Sequence, residues 1–165
     1  MTDRMRLEWI HFGIAIVMTA VFAESGRAAG PVVSDLAIPG RTNAQPSLAA
    51  QGSFVAVSWA ASIGGATDVY VGISRDGGHT FGKPVRVNDA TARASVSGEQ
   101  PPRVALVPQT GQTPTVVVVW TAKGSAGTRL LWARSDDGGA SFGAGRTVPG
   151  SEGRGNRGWE SIAVD

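Results

Sequence analysis

From residue 45 onward, short apolar runs alternate with polar, glycine-rich ones. Ser47–Ala50 and Phe54–Ala60 have the β-branched and aromatic content of strands, and Gly52 falls in the turn between them. Val69–Ser74 predicts a third strand and Pro84–Val87 a fourth. The pattern then returns as Arg103–Val107, Thr115–Thr121, Arg129–Ser135 and Arg146–Val148. Pro84 and Pro149 suit outer, edge-like strands, because proline has no N–H to give to a ladder.

The two sets are copies of one unit. VYVGISRDGGHTFGKPVRV (Val69–Val87) and LLWARSDDGGASFGAGRTV (Leu130–Val148) share Ser, Asp, Gly, Gly, a hydroxyl residue and Phe at identical offsets, so that Ser74 corresponds to Ser135. Upstream, FVAVSWAA (Phe54–Ala61) matches VVVVWTA (Val116–Ala122), and QPSLAAQG (Gln45–Gly52) parallels QPPRVALV (Gln100–Val107). GWESIAVD (Gly158–Asp165) begins a third copy. Self-similarity at a fixed period marks a repeat architecture, and four antiparallel strands per unit make a propeller blade. PVVSD (Pro31–Asp35) resembles PVRVND (Pro84–Asp89), so it predicts an outer strand that closes the ring on the last blade.

The expectation is an all-β chain in which residues 31–165 form an incomplete propeller, six-bladed when whole. Blade one covers about residues 45–89, blade two about 100–149, and a third starts at 158–165. That is about ten strands where a six-bladed ring needs about 24, so the chain reads as an N-terminal fragment. Three copies would supply about thirty strands, which argues against a ring assembled from short chains. Exposed strand edges would make the isolated fragment prone to self-association.

The two cores, SRDGGHTF (Ser74–Phe81) and SDDGGASF (Ser135–Phe142), fit the pattern S-x-D-x-G-x-T-F, with Ser141 in the threonine position. This is the Asp box, or BNR repeat, and with two matches in register the chain resembles bacterial sialidases and their many non-catalytic relatives. The resemblance implies that Ser74, Asp76, Gly78, Thr80, Phe81, Ser135, Asp137, Gly139, Ser141 and Phe142 are peripheral scaffold residues. The physical logic agrees. Each aspartate can accept backbone N–H bonds across a hairpin turn, the glycines permit positive φ, and each phenylalanine can bury between strands. A calcium reading of Asp76, Asp136 and Asp137 lacks the terminal glutamate that an EF-hand loop requires, so no metal and no cofactor is expected.

The resemblance also implies a catalytic set: three arginines gripping a substrate carboxylate, an aspartate acid/base, and a tyrosine nucleophile activated by a glutamate. Little of it is present. The family's first arginine lies in an R-I-P motif, and the nearest string here is AIPGR (Ala37–Arg41). Arg41 is therefore the one candidate carboxylate ligand, against the reading of a coincidental surface residue. Tyr70, the only tyrosine, matches Leu131 in the other repeat and reads as a packed side chain. Trp59 and Trp120 hold the same place in their repeats and read as blade packing, not as sugar platforms. Asp89, Glu99 and Arg103 flank the link between the repeats. The resulting expectation is a protein related to exo-α-sialidase glycoside hydrolases but inactive as this fragment. The alternative is a non-catalytic Asp-box propeller that binds glycan or protein.

The segment from Met1 to Gly30 stands apart. Arg4 and Arg6 precede an apolar run, Ile10–Ala23, which is followed by small residues. This is the layout of a secretory signal peptide, with cleavage after Ala23 or nearer Ala28. The run is short of the ~18 residues of a bilayer-spanning helix, though an uncleaved N-terminal anchor is the alternative. The chain is expected to be secreted or periplasmic, with no membrane attachment after cleavage. Cysteine is absent, which removes disulfides and thiolate metal sites. The formal net charge is only +2 and basic residues are scattered singly, so no patch for nucleic acid is expected.

Overall fold

Each run predicted in the two repeats becomes a strand. They are β1 (Thr42–Gln51), β2 (Phe54–Ile63), β3 (Ala66–Ser74) and β4 (Val85–Arg86), then β5 (Arg103–Val107), β6 (Thr115–Gly124), β7 (Gly127–Ser135) and β8 (Arg146–Thr147). They pair antiparallel in sequence order into two sheets of four, β1–β4 and β5–β8. The chain is all-β, with no helix among the described residues. The computed structural model describes residues 35–90, 92–124, 127–153, 155 and 160–164. The expected signal peptide, nearly all of the PVVSD strand, and Gly158, Trp159 and Asp165 of the third copy lie outside these residues. The described part of that third copy, 160–164, has no strand pairing.

Turn chemistry sets the register. The β2–β3 hairpin closes on Gly64 and Gly65 with φ of 55° and 75°, the positive values of a two-residue turn that matches strand twist. Ile63 then pairs with Ala66 and Trp59 with Tyr70. The second sheet repeats this with Trp120 opposite Leu131. β1 begins at Thr42, earlier than the Ser47 expected from its apolar content. A bulge between Ala44 and Ser47 joins the two stretches, with Gln45 at φ 57°. Pro46 explains it: a residue without an N–H forces an interruption, and the bulge absorbs it. The fourth strands are only two residues long.

The sheets pack face to face. Phe54, Ala56, Val69 and Val71 of the first meet Val104, Leu106, Val116, Val118, Trp120 and Ala122 of the second in one buried cluster. Ser58 Oγ donates to Pro102 O (3.2 Å), and Ser47 Oγ accepts from Val104 N (3.4 Å), so β1 and β5 lie side by side. The far face of the first sheet carries Val55, Val57, Trp59 and Ala61, against which Leu36, Ile38, Tyr70 and Phe81 pack. Val116, Val118, Trp120 and Ala122 are the repeat counterparts of that far-face set. The second sheet therefore docks with the face that, on the first sheet, points the other way. The stack is head-to-tail, a heterologous contact that uses two different surfaces.

Candidate functional site

Each of the two segments Ser74–Phe81 and Ser135–Phe142, here called boxes, caps a hairpin, the first between β3 and β4 and the second between β7 and β8. In the first, Ser74 Oγ donates to Asp76 Oδ1 (2.7 Å) and accepts from Gly78 N (2.8 Å). Asp76 also accepts from Thr80 N (2.9 Å) and Thr80 Oγ1 (2.6 Å). In the second, Ser135 Oγ donates to Asp137 (2.6 Å) and accepts from Gly139 N (2.7 Å). Asp137 accepts from the backbone N–H groups of Ala140 and Ser141 and from the Ser141 hydroxyl. Serine thus fills the threonine role with the same hydrogen bond.

Electrostatics follow from this geometry. The Thr80 hydroxyl and N–H, then Ser74, hold the Asp76 carboxyl well below the usual carboxylate range. Ser135 and Ser141 do the same for Asp137. A carboxylate stabilised by several donors is a poor proton carrier at neutral pH. Both oxygens of each carboxylate are engaged by donors of its own turn. No group of three or more His, Asp or Glu suited to a metal occurs among the described residues. The phenylalanines face inward: Phe81 packs on the Trp59 cluster and Phe142 on the intersheet core.

Arg41 sits just before β1, and its guanidinium is bound to a carboxylate of its own chain. Nη1 donates to Asp68 Oδ2 at 2.7 Å and to Ala61 O at 3.2 Å. The guanidinium also lies over the Tyr70 ring, 5.7 Å from its centroid. From the other side, Arg86 Nη2 (2.6 Å) and Asn88 Nδ2 (3.1 Å) donate to Asp68 Oδ1. Asp68 is buried. Burial alone would raise its carboxyl, but the Asn88 and Arg41 hydrogen bonds and the charges of Arg86 and Arg41 outweigh it, and the net direction is down.

Asp68, Arg86 and Asn88 are absent from the sequence-based candidates. No repeat signal marks them, because their counterparts in the second unit are Arg129, Thr147 and Pro149. The only available cue is a lone acidic residue inside an apolar strand.

The remaining residues singled out are dispersed. Tyr70 stacks on Trp59 with ring centroids 6.2 Å apart. The Trp59 indole N–H donates to Asn43 Oδ1 (3.0 Å) and that of Trp120 to Ala92 O (3.1 Å), so both rings are anchored core residues. Asp89 Oδ1 accepts from Ala92 N (2.9 Å), Glu99 is exposed, and Arg103 Nε donates to Glu160 O (3.1 Å). Glu160 is itself buried and accepts from Thr121 Oγ1 at 3.4 Å. No catalytic constellation assembles from these groups. No protein-family model, no curated protein and no solved structure matches this chain.

Proposed function

We propose that the two sheets are consecutive blades of a sialidase-like Asp-box β-propeller. On this reading the Asp boxes are scaffold, and the exported protein is a non-catalytic binder of glycan or protein. The observation that carries the blade reading is the head-to-tail stack, with a box turn at the same corner of each sheet. Identical units stacked with a constant rotation close into a ring when the rotation divides the circle.

The hydrolase alternative needs Arg41 to grip a substrate carboxylate. That arginine already holds Asp68 and is packed on Tyr70, so a substrate would have to displace a buried internal partner. This favours the binding reading. A fluorogenic sialoside assay, run beside a glycan-array binding screen, separates the two. Glycan binding without turnover supports the binding role. Turnover abolished by Arg41→Ala, with the fold intact by circular dichroism, would overturn it.

A further inference from the structure

The contact between the sheets has a knob and a groove. The knob is the second box turn: Gly138 and Gly139 are buried, and a Cβ built on Gly139 falls 2.5 Å from Ile73 Cγ1. Arg75 Nη2 donates to Gly138 O at 3.4 Å. The receiving groove is the strip beside the first box, where Ile73 and Arg75 meet that turn and Gly82, Lys83 and Val85 line with it a remaining space of about 320 Å³. Only glycine fits so close an approach, and both glycines have positive φ.

The same knob and groove occur once more, and no described residue fills either. The first box turn, Gly77–Gly78, is the repeat counterpart of Gly138–Gly139, and a Cβ on either residue meets nothing within 4 Å. On the second sheet, the counterpart of the receiving groove is a space of about 460 Å³ beside Trp132, Arg134, Asp136, Gly143, Ala144 and Arg146. Leu36 and Ile38 pack with Trp59 and Phe81, and Glu160 bonds to Arg103 and Thr121, so among the described residues these flanking segments do not seat on the Gly77–Gly78 tip or in the groove. The unfilled groove carries Arg134 and Arg146 besides Asp136, whose carboxylate already pairs with Arg134 at 2.6 Å, so the proposed contact rests on shape and not on charge.

We propose that the Gly77–Gly78 turn of one copy docks into the Trp132–Arg134 groove of a second copy, repeating between chains the contact made within one. The contact is heterologous, so each copy offers one knob and one groove, and association proceeds beyond a dimer. The proposal stands on the observed stack of two sheets, whether or not that stack belongs to a propeller ring.

The test uses sedimentation of the full chain over about 10 µM to 1 mM, the range of a small interface. The wild type is expected to grow with concentration into species larger than a dimer. Arg134→Ile installs the side chain found at the filled groove and should tighten association, whereas Arg134→Trp fills the space and should weaken it about tenfold or more. Non-specific apolar association would be strengthened by both changes. Gly77→Asp blocks the knob by bulk: aspartate tolerates positive φ, and its side chain occupies a close approach that fits only glycine. Arg134→Trp and Gly77→Asp should each be monomeric alone and form a 1:1 dimer, and nothing larger, when mixed. That dimer also certifies that both variants fold. A wild type that stays monomeric, a mixture that stays monomeric, or association indifferent to these changes overturns the proposal.

Discussion

Gly78 and Gly139 hold the same box position, and the comparison of Gly78→Ala with Gly139→Ala measures what the intersheet contact contributes. Their φ angles are 92° and 87°, so alanine suffers nearly the same backbone penalty at both, about 1–2 kcal/mol. The surroundings differ. At Gly78 a new methyl enters open space, whereas at Gly139 it lies 2.5 Å from Ile73 Cγ1 and 2.7 Å from Cδ1. Forcing such an overlap costs about 1–3 kcal/mol, through off-rotamer shifts of Ile73 or a parting of the sheets. The expected losses are therefore about 1–2 kcal/mol for Gly78→Ala and about 2–5 kcal/mol for Gly139→Ala. Urea unfolding followed by tryptophan fluorescence reads the difference, which at a slope of about 1–3 kcal/mol per molar urea is a midpoint shift near 1 M. Adding Ile73→Ala to Gly139→Ala should recover part of the loss. Equal destabilisation by both alanines, or no recovery in the double variant, would refute the tight approach of box and sheet.

Other outcomes follow from the same contacts. Asp68→Asn leaves Arg41 and Arg86 without a counter-charge and should cost about 2 kcal/mol; this is below the value for a fully buried pair because Arg86 is 38% exposed. The box aspartates and Asp68 have carboxyls held below their unfolded values. Their stabilisation is complete above the unfolded pKa of about 3.9 and is lost as pH falls toward the lower folded values. The combined Asp76→Asn and Asp137→Asn variant should thus show a flatter acid limb in a plot of unfolding midpoint against pH, and an unchanged limb would contradict the hydrogen-bond assignment. Asn43→Ala removes the side chain that bridges Ile38 and Trp59, and faster hydrogen exchange confined to residues around Ile38 is expected. Calcium or EDTA should leave the melting temperature unchanged, because the oxygens of both box aspartates already accept from their own turns.

The repeat made most of the scaffold legible in advance. Strand positions, hairpin turns and box roles follow from local rules: alternation, glycine at positive φ, and proline outside the ladder. The early start of β1 was not legible, because Thr42–Ala44 lack apolar character and are recruited by pairing with Ala60–Ser62. The Asp68 cluster was invisible for a different reason. Its members come from β3, β4, the residue before β1 and the segment after β4, and only tertiary pairing brings them together. Arg41 was singled out only through the resemblance, as a candidate ligand for a substrate carboxylate, and its internal pairing with Asp68 could not be read without the fold.

The box turns have one further consequence, for how such a chain can change over generations. Among the described residues, the side-chain hydrogen bonds of the serine, aspartate and hydroxyl of a box stay within the turn itself, reaching no further than from Ser74 to Gly78 or from Asp76 to Thr80. A duplicated segment therefore carries the side-chain part of its hairpin cap with it, although Gly77 N also donates to Ser53 O of the neighbouring turn at 2.8 Å. The Asp68 cluster is the opposite kind of feature: the other unit has Arg129, Thr147 and Pro149 in the corresponding places and does not share it. Local chemistry is inherited by the copy, while long-range chemistry is free to diverge, and so two sheets drawn from one pattern have become distinguishable ends.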